Sequence, residues 1–298
     1  MGKGLFDGLG VAMVTPMLAD GQLDTEGLRR LTEHLIDGGV DYLVPLGTTG
    51  ESSTLTKAEK HYVLDIVVEV NAGRKPMLLG CGGNDTAAVV QEIQSLDARY
   101  QPDGFLSVSP AYNKPSQAGI LAHYQAIAAA TERPIVLYNV PPRTASNLEP
   151  GTVLALAETC PTIIAIKEAS GSLPQAMELV AHKPAHFSVL RGDDLLALPG
   201  ICLGLTGLIS VLGNALPELT GRMVHLAARQ EVQAARALHY QLLPLIHAIF
   251  QEGNPAGIKA LLAELGICQP YTRLPLVPAS HDLQARLGQL LKALKQAS

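Results

Sequence analysis

Tryptophan is absent from this 298-residue chain, aromatic residues make up only 4% of it, and charged residues only 16%. What is left is largely aliphatic, with 47% of residues hydrophobic. That excludes a disordered or fibrous chain and describes one that buries a large core. Long apolar runs are missing as well. No window approaches the roughly 18 to 20 uninterrupted apolar residues that span a bilayer, so no membrane partner is expected. The first apolar stretch, residues 8–18, contains Thr15 and Pro16 and is followed by no small-residue cleavage pattern, so it reads as a strand and not as a signal peptide. Basic runs are lacking too, and the formal charge of -5 offers no footprint for a polyanion, which makes nucleic acid an unexpected partner. Cys81, Cys160, Cys202 and Cys268 are far apart, with no Cys-x-x-Cys pair. Neither a zinc site nor a dense disulfide framework follows, and a reduced, cytoplasmic compartment is the expectation.

What the chain does have is rhythm. Short apolar runs alternate with longer amphipathic stretches up to about residue 230, as in a parallel sheet built from βαβ units. Strands are expected over residues 11–15, 42–47, 77–81, 104–109, 135–139, 163–167, 187–190 and 207–210. Helix starts are marked by Asp24, Thr56, Asp85 and Ser116, each a capping residue ahead of a helical pattern. Eight strand-helix pairs fit a closed (β/α)8 TIM barrel better than an open doubly wound sheet, though periodicity alone leaves both open. From Glu231 onward only helical spacing is found, through Val232, Ala235, Leu238, Leu242 and Leu245 and then over residues 256–265 and 283–294. The α/β chain thus divides into a barrel carrying the active site, residues 1–230, and a small C-terminal helical domain, residues 231–298.

Active sites of such barrels form at the C-terminal ends of the strands, so polar residues there carry functional weight. Lys167 closes the apolar run Ile163-Ile164-Ala165-Ile166 and shares strand parity with Ile163 and Ala165, the face assigned to the lumen. Burial disfavors the ammonium form, and a neutral amine can attack a carbonyl to give an imine. The alternative is a structural lysine paired with Glu168 or Glu51. Tyr138 ends the neighboring strand facing the same way, where a phenol could move protons; otherwise it is a rim tyrosine that packs its ring. Thr48 and Thr49 lie in a glycine-bracketed turn suited to a carboxylate. A phosphate loop is the weaker rival, since the turn has neither a Gly-Lys-Ser/Thr ending nor Gly-x-Gly-x-x-Gly spacing, and a plain tight connection is the bland one. Arg143, after Pro141 and Pro142, offers a guanidinium for a substrate carboxylate, or else a surface ion pair. The histidines form no ligand cluster, and Asp193-Asp194 is as easily a helix cap as a metal site, so no metal is expected.

Together these residues resemble the dihydrodipicolinate synthase and N-acetylneuraminate lyase family over nearly the whole chain. The matching stretches are Val14-Thr15-Pro16, Gly47 through Ser52, Tyr112-Asn113-Lys114-Pro115, Tyr138-Asn139-Val140-Pro141, Ile166-Lys167-Glu168-Ala169, Gly192-Asp193-Asp194, Asn254-Pro255 and Arg273-Leu274-Pro275-Leu276. The resemblance implies that Lys167 forms an imine with pyruvate, that Thr48 and Thr49 bind the pyruvate carboxylate, and that Tyr138 is the acid-base residue. It further implies a proton relay of Thr49, Tyr138 and Tyr112, with Tyr112 reaching across a tight dimer into the partner's site. Gly192 and Ile209 are implied as substrate-binding residues, and Arg143 as the group that captures a second substrate, L-aspartate 4-semialdehyde. The implied product is 4-hydroxy-tetrahydrodipicolinate, made without an external cofactor by a homotetramer. The chain departs from the family pattern at Pro142, Ala145, Arg191 and Leu205, all expected on the second-substrate side, and at Ala256-Gly257. A related pyruvate-dependent class I aldolase acting on another 2-oxo acid or aldehyde is the alternative, and a non-catalytic barrel is a third reading. Lysine-inhibited members use polar effector contacts where this chain has Lys57, Lys60, Ala88 and Ala111, with Ser52 and Asn84 kept. Weak or absent inhibition by lysine is implied.

Overall fold

A computed structural model describes residues 4–297. Its eight strands, all parallel, are β1 (Gly8–Ala12), β2 (Tyr42–Val44), β3 (Leu78–Gly82), β4 (Gly104–Val108), β5 (Ile135–Asn139), β6 (Ile163–Glu168), β7 (Ser188–Arg191) and β8 (Gly207–Ser210). Their order in the sheet is β2-β1-β8-β7-β6-β5-β4-β3. The two ends meet through a parallel bridge between Leu43 and Met77 and through Gly80 N–H donating to the Pro45 carbonyl at 2.9 Å. The sheet therefore closes into a (β/α)8 barrel.

Helices α1 (Thr25–Asp37), α2 (Lys57–Asn71), α3 (Thr86–Tyr100), α4 (Gln117–Ala128), α5 (Pro141–Thr144), α6 (Pro150–Thr159), α7 (Leu173–His182), α8 (Ala197–Cys202) and α9 (Pro217–Ala228) run between and after the strands. Three more, α10 (Val232–Phe250), α11 (Ala256–Glu264) and α12 (His281–Ala297), form the C-terminal helical region. The four capping residues marked in the sequence all cap: Asp24 accepts from Gly27 N–H, Thr56 forms a reciprocal capping box with Glu59, Asp85 accepts from Ala87 and Ala88, and Ser116 from Gly119. Each satisfies a backbone donor that the first helical turn leaves without a partner.

Two apolar layers follow from strand alternation. One fills the lumen with Phe6, Tyr42, Val44, Leu78, Leu106, Val136, Ala165, Leu190 and Ile209. The other lies between the strands and the helices and continues under α10, α11 and α12. Three expectations change here, one of them simply that β2 stops at Val44 instead of running to residue 47. The first strand runs over Gly8–Ala12, not 11–15, because Gly8 and Gly207 pair edge to edge. A Cβ on Gly207 would sit 2.3 Å from the Gly8 carbonyl oxygen, so the close approach requires glycine, the residue that strand propensity discounts. Met13 N–H still bonds to the Val44 carbonyl of β2 at 3.0 Å, and residues 14 and 15 turn to other partners, with Val14 N–H donating to Asn214 Oδ1 at 3.1 Å and the Thr15 hydroxyl to the Gly50 carbonyl at 2.7 Å. Third, Ile163 belongs to the outer layer, not to the lumen. The β5–β6 register jumps from Ile135 opposite Ile163 to Val136 opposite Ala165, a bulge that flips parity once between Ile163 and Ala165. Ala165 and Lys167 keep the lumen face.

Candidate active site

At the C-terminal end of the strands a cavity of about 460 Å³ is lined by Thr48, Thr49, Tyr138, Arg143, Lys167 and Gly192. Six residues singled out in the sequence, from four strand ends, thus meet in one place. Lys167 and Tyr138 stand directly opposite each other on β6 and β5, and the Lys167 ammonium nitrogen lies 4.3 Å from the center of the Tyr138 ring. Both are buried, Lys167 to 5% exposure. Neither carboxylate that could have made Lys167 structural is available to it. Glu51 pairs with Lys259. Glu168, on the opposite side of β6, accepts from Asn139 Nδ2 and Gln175 Nε2, each at 2.9 Å, and from Ser170 N–H at 2.6 Å. Among the described residues no ion pair holds Lys167 and no hydrogen bond holds the Tyr138 hydroxyl. A buried amine facing a cavity with only a ring beneath it is disposed for attack on a carbonyl.

Gly192 explains itself by contact. A Cβ there would lie 2.8 Å from Lys167 Cε and 2.7 Å from Ala169 Cβ, so glycine leaves the channel through which the lysine chain reaches the cavity. Thr48, Thr49 and Gly50 form one tight turn, closed by Gly50 N–H on the Gly47 carbonyl and by Glu51 N–H on the Thr48 carbonyl. Glu51 then takes a left-handed φ of 53°, and Thr15 ties down Gly50 from β1's side. Both threonines thereby line the cavity. Arg143 rides on α5, whose start is set by Pro141 and Pro142 at positions where no backbone N–H is needed. Among the described residues its guanidinium has no ion-pair partner, so the surface-pair reading is not what the fold makes of it. Ala145 ends that turn at φ 57°, a left-handed position at which glycine would be less strained.

Two of the implied site residues lie elsewhere. Ile209 is fully buried in the lumen packing, not in the cavity wall. Tyr112, at φ 69° and 89% exposed, projects from the loop after β4, and its N–H is pinned to the Thr144 carbonyl at 3.3 Å. The departures in sequence also sort differently from expectation. Leu205 precedes β8 and so sits at the opposite end of the barrel, where its N–H bonds to Gly200. Arg191 is entirely buried behind the strand, against Gly200, with the Asp193 carboxylate 3.8 Å away. Burial pulls its guanidinium below the ordinary arginine value, and Asp193 pulls the other way. Asp193 caps Leu195 N–H, while Asp194 is buried, accepts from Ser210 and Val211 N–H, and is pushed up by burial.

Sequence reasoning confined the site to the barrel and missed a wall. Ile246, His247 and Phe250 of α10, with Gln251 and Asn254 just after it, line the same cavity. Asn254 Nδ2 donates to the Thr49 hydroxyl oxygen at 2.9 Å. Lys259 was missed as well, although a lone charge in the apolar run Ala256-Gly257-Ile258-Lys259-Ala260-Leu261-Leu262 signals a buried partner. It is fully buried on α11, donating to Glu51 and to the Tyr271 carbonyl at 2.8 Å.

A (β/α)8 barrel with a buried lysine and a tyrosine facing a cavity over its strand ends has the layout of a barrel enzyme. The model of the dihydrodipicolinate synthetase family matches residues 5–294, and the chain belongs to that family. It is 47% identical to the 4-hydroxy-tetrahydrodipicolinate synthase of Flavobacterium psychrophilum, over 98% of this chain and 99% of that one. The chloride-inhibited dihydrodipicolinate synthase of Acinetobacter baumannii, solved with pyruvate, superimposes with a TM-score of 0.93 at 37% identity, over 97% of this chain and 99% of that one. The enzyme from Cyanidioschyzon merolae, solved with lysine bound, gives 0.93 at 36% identity, covering 98% and 99%. Among the described residues no helix is long and apolar enough to cross a membrane.

Proposed function

We propose that this chain condenses pyruvate with L-aspartate 4-semialdehyde to give 4-hydroxy-tetrahydrodipicolinate, on the path to diaminopimelate and lysine, using Lys167 as its only electron sink. The observation that carries this reading is the Lys167 amine, buried and free of any carboxylate, facing a cavity shared with Tyr138, Thr48 and Thr49. Thr48 and Thr49 take the pyruvate carboxylate. The amine adds to the ketone carbon, and loss of water leaves the imine. Tyr138 supplies and removes the protons of carbinolamine formation and collapse. Loss of a methyl proton then gives an enamine, whose carbon attacks the aldehyde of the second substrate. The α-amino group of that substrate displaces Lys167 from the imine carbon, closing a six-membered ring and regenerating the free amine. No separate cofactor or metal enters the scheme.

Arg143 stands at the mouth of the cavity with its guanidinium unengaged, suited to the carboxylate of the incoming semialdehyde. Arg143→Ala is expected to raise the semialdehyde KM by about 10- to 100-fold, the weight of a charge-assisted hydrogen bond. Pyruvate uptake by Lys167 is expected to be unchanged. An acceptor screen at matched enzyme concentration checks the assignment: negligible turnover with aspartate semialdehyde, against brisk turnover with another aldehyde, would move the chain to a different aldolase. Tyr112, exposed on the single chain, fits the reading in which it completes a partner's proton relay in a tight dimer within a homotetramer. Lysine is expected to inhibit weakly or not at all, because Lys60 places an ammonium in the effector region and is paired with Glu92 at 3.0 Å. Half-maximal inhibition by submillimolar lysine would contradict this.

A further inference from the structure

We infer that Lys259 and Asn254, both in the C-terminal helical region, are positioning residues that hold the turn formed by Thr48, Thr49 and Gly50 in its carboxylate-binding shape. This rests on the proposed function only in taking that turn as the pyruvate carboxylate site. The turn has two backbone hydrogen bonds of its own and the Thr15 hydroxyl on the Gly50 carbonyl, none of which holds the Glu51 side chain or the Thr49 hydroxyl. It runs directly into Glu51, a non-glycine residue at φ 53° in the sparsely populated left-handed region. Such a conformation persists when the surroundings over-determine it.

Besides Thr15, the groups that hold Glu51 and Thr49 come from more than 200 residues further along the chain. Both Glu51 oxygens are taken, Oε1 by the Lys259 ammonium and Oε2 by Arg273 N–H at 2.9 Å. Lys259 is anchored in turn on the Tyr271 carbonyl at 2.8 Å, and neither partner of the pair is exposed. The pair does not line the cavity, so it has no contact with substrate to offer. Its effect is on geometry: Glu51 is drawn down toward α11, and the preceding three residues are turned up toward Lys167.

Asn254 works on the hydroxyl itself. Its Nδ2 donates to Thr49 Oγ1 at 2.9 Å and so occupies one lone pair of that oxygen. With that bond made, the Thr49 proton is free for another acceptor, which an anionic oxygen in the cavity supplies. Thr49 is thereby set as a donor before substrate arrives, and orientation of this kind is paid for in folding rather than in binding.

The test is the pyruvate dependence of adduct trapping by borohydride, read on the full-length protein beside its melting temperature. Lys259→Met alone strands a buried carboxylate, so the informative variant is Glu51→Gln with Lys259→Met, which removes both charges at near-constant volume. Asn254→Ala, which removes no charge, is the second. Each is expected to raise half-saturating pyruvate by about tenfold or more while the adduct yield at saturating pyruvate stays at the wild-type level. Unchanged half-saturation in the folded variants would overturn the inference. So would a lower saturating yield with no shift in half-saturation, which would place the effect on Lys167. Should the double variant fail to fold, Asn254→Ala decides alone by the same criteria. Should the wild-type protein trap no pyruvate, the imine reading falls, and calorimetric binding of pyruvate to the same variants decides this inference by the same shift.

Discussion

Lys167→Met is expected to abolish turnover, by at least about 10⁴-fold, while leaving the protein as stable as before or more so. The first half follows from the loss of the nucleophile, whose removal other side chains do not replace. The second follows from where Lys167 sits. It is buried with no carboxylate partner, so Met of similar length relieves an unpaired polar head without stranding an opposite charge. The other buried lysine makes the opposite forecast. Lys259→Met leaves Glu51 buried and unpaired and is expected to cost about 3–5 kcal/mol, the usual penalty for breaking a buried pair. Burial pulls the Lys259 ammonium below its ordinary value, and the Glu51 carboxylate beside it opposes this. Melting curves of the two variants check the contrast. Equal destabilization would mean that Lys167 also serves the fold, and that its exposure to the cavity is incidental.

Tyr138→Phe is expected to lower kcat by about 10²- to 10⁴-fold, the span of general acid-base catalysis, with little change in melting temperature. The ring 4.3 Å from the Lys167 nitrogen is kept, and so is its packing in the lumen; only the hydroxyl is lost. The pyruvate adduct should still form on Lys167, but slowly, because carbinolamine formation and dehydration each need a proton moved. Comparing the rate of borohydride-trapped adduct with its final yield separates the two. A variant within a few-fold of wild-type kcat would assign the proton transfers to another group and leave Tyr138 as a wall of the cavity.

How much of this was legible in the sequence varies with what each residue depends on. Lys167 and Tyr138 could be placed because an apolar run ending in a polar residue carries its own direction, and the bulge in β6 lies upstream of both Ala165 and Lys167. Ile163 could not, since a bulge leaves no mark in the pattern of apolar residues. The start of β1 was hidden by glycine, which sheet propensity discounts but which the contact between Gly8 and Gly207 demands. Helix caps were readable because they act within three residues.

The far wall was not readable. His247, Gln251 and Asn254 reach the cavity only because α10 folds back over the mouth of the barrel, a tertiary fact that helical periodicity does not contain. Glu51 shows the same limit. As a candidate partner for Lys167 it was reasonable by proximity in the list of strand ends, but the fold gives it to Lys259, 208 residues further on. Arg191 and Leu205 show it again: flagged as unusual residues near the site, one is buried behind β7 and the other lies at the opposite end of the barrel.

The most direct test of the account is incubation of the wild-type protein with pyruvate and borohydride, followed by digestion and peptide mass measurement. The account predicts one pyruvate-derived adduct per chain, on the peptide containing Lys167 and at no other lysine. An unmodified Lys167, or an adduct on Lys259 or on a surface lysine instead, would contradict it.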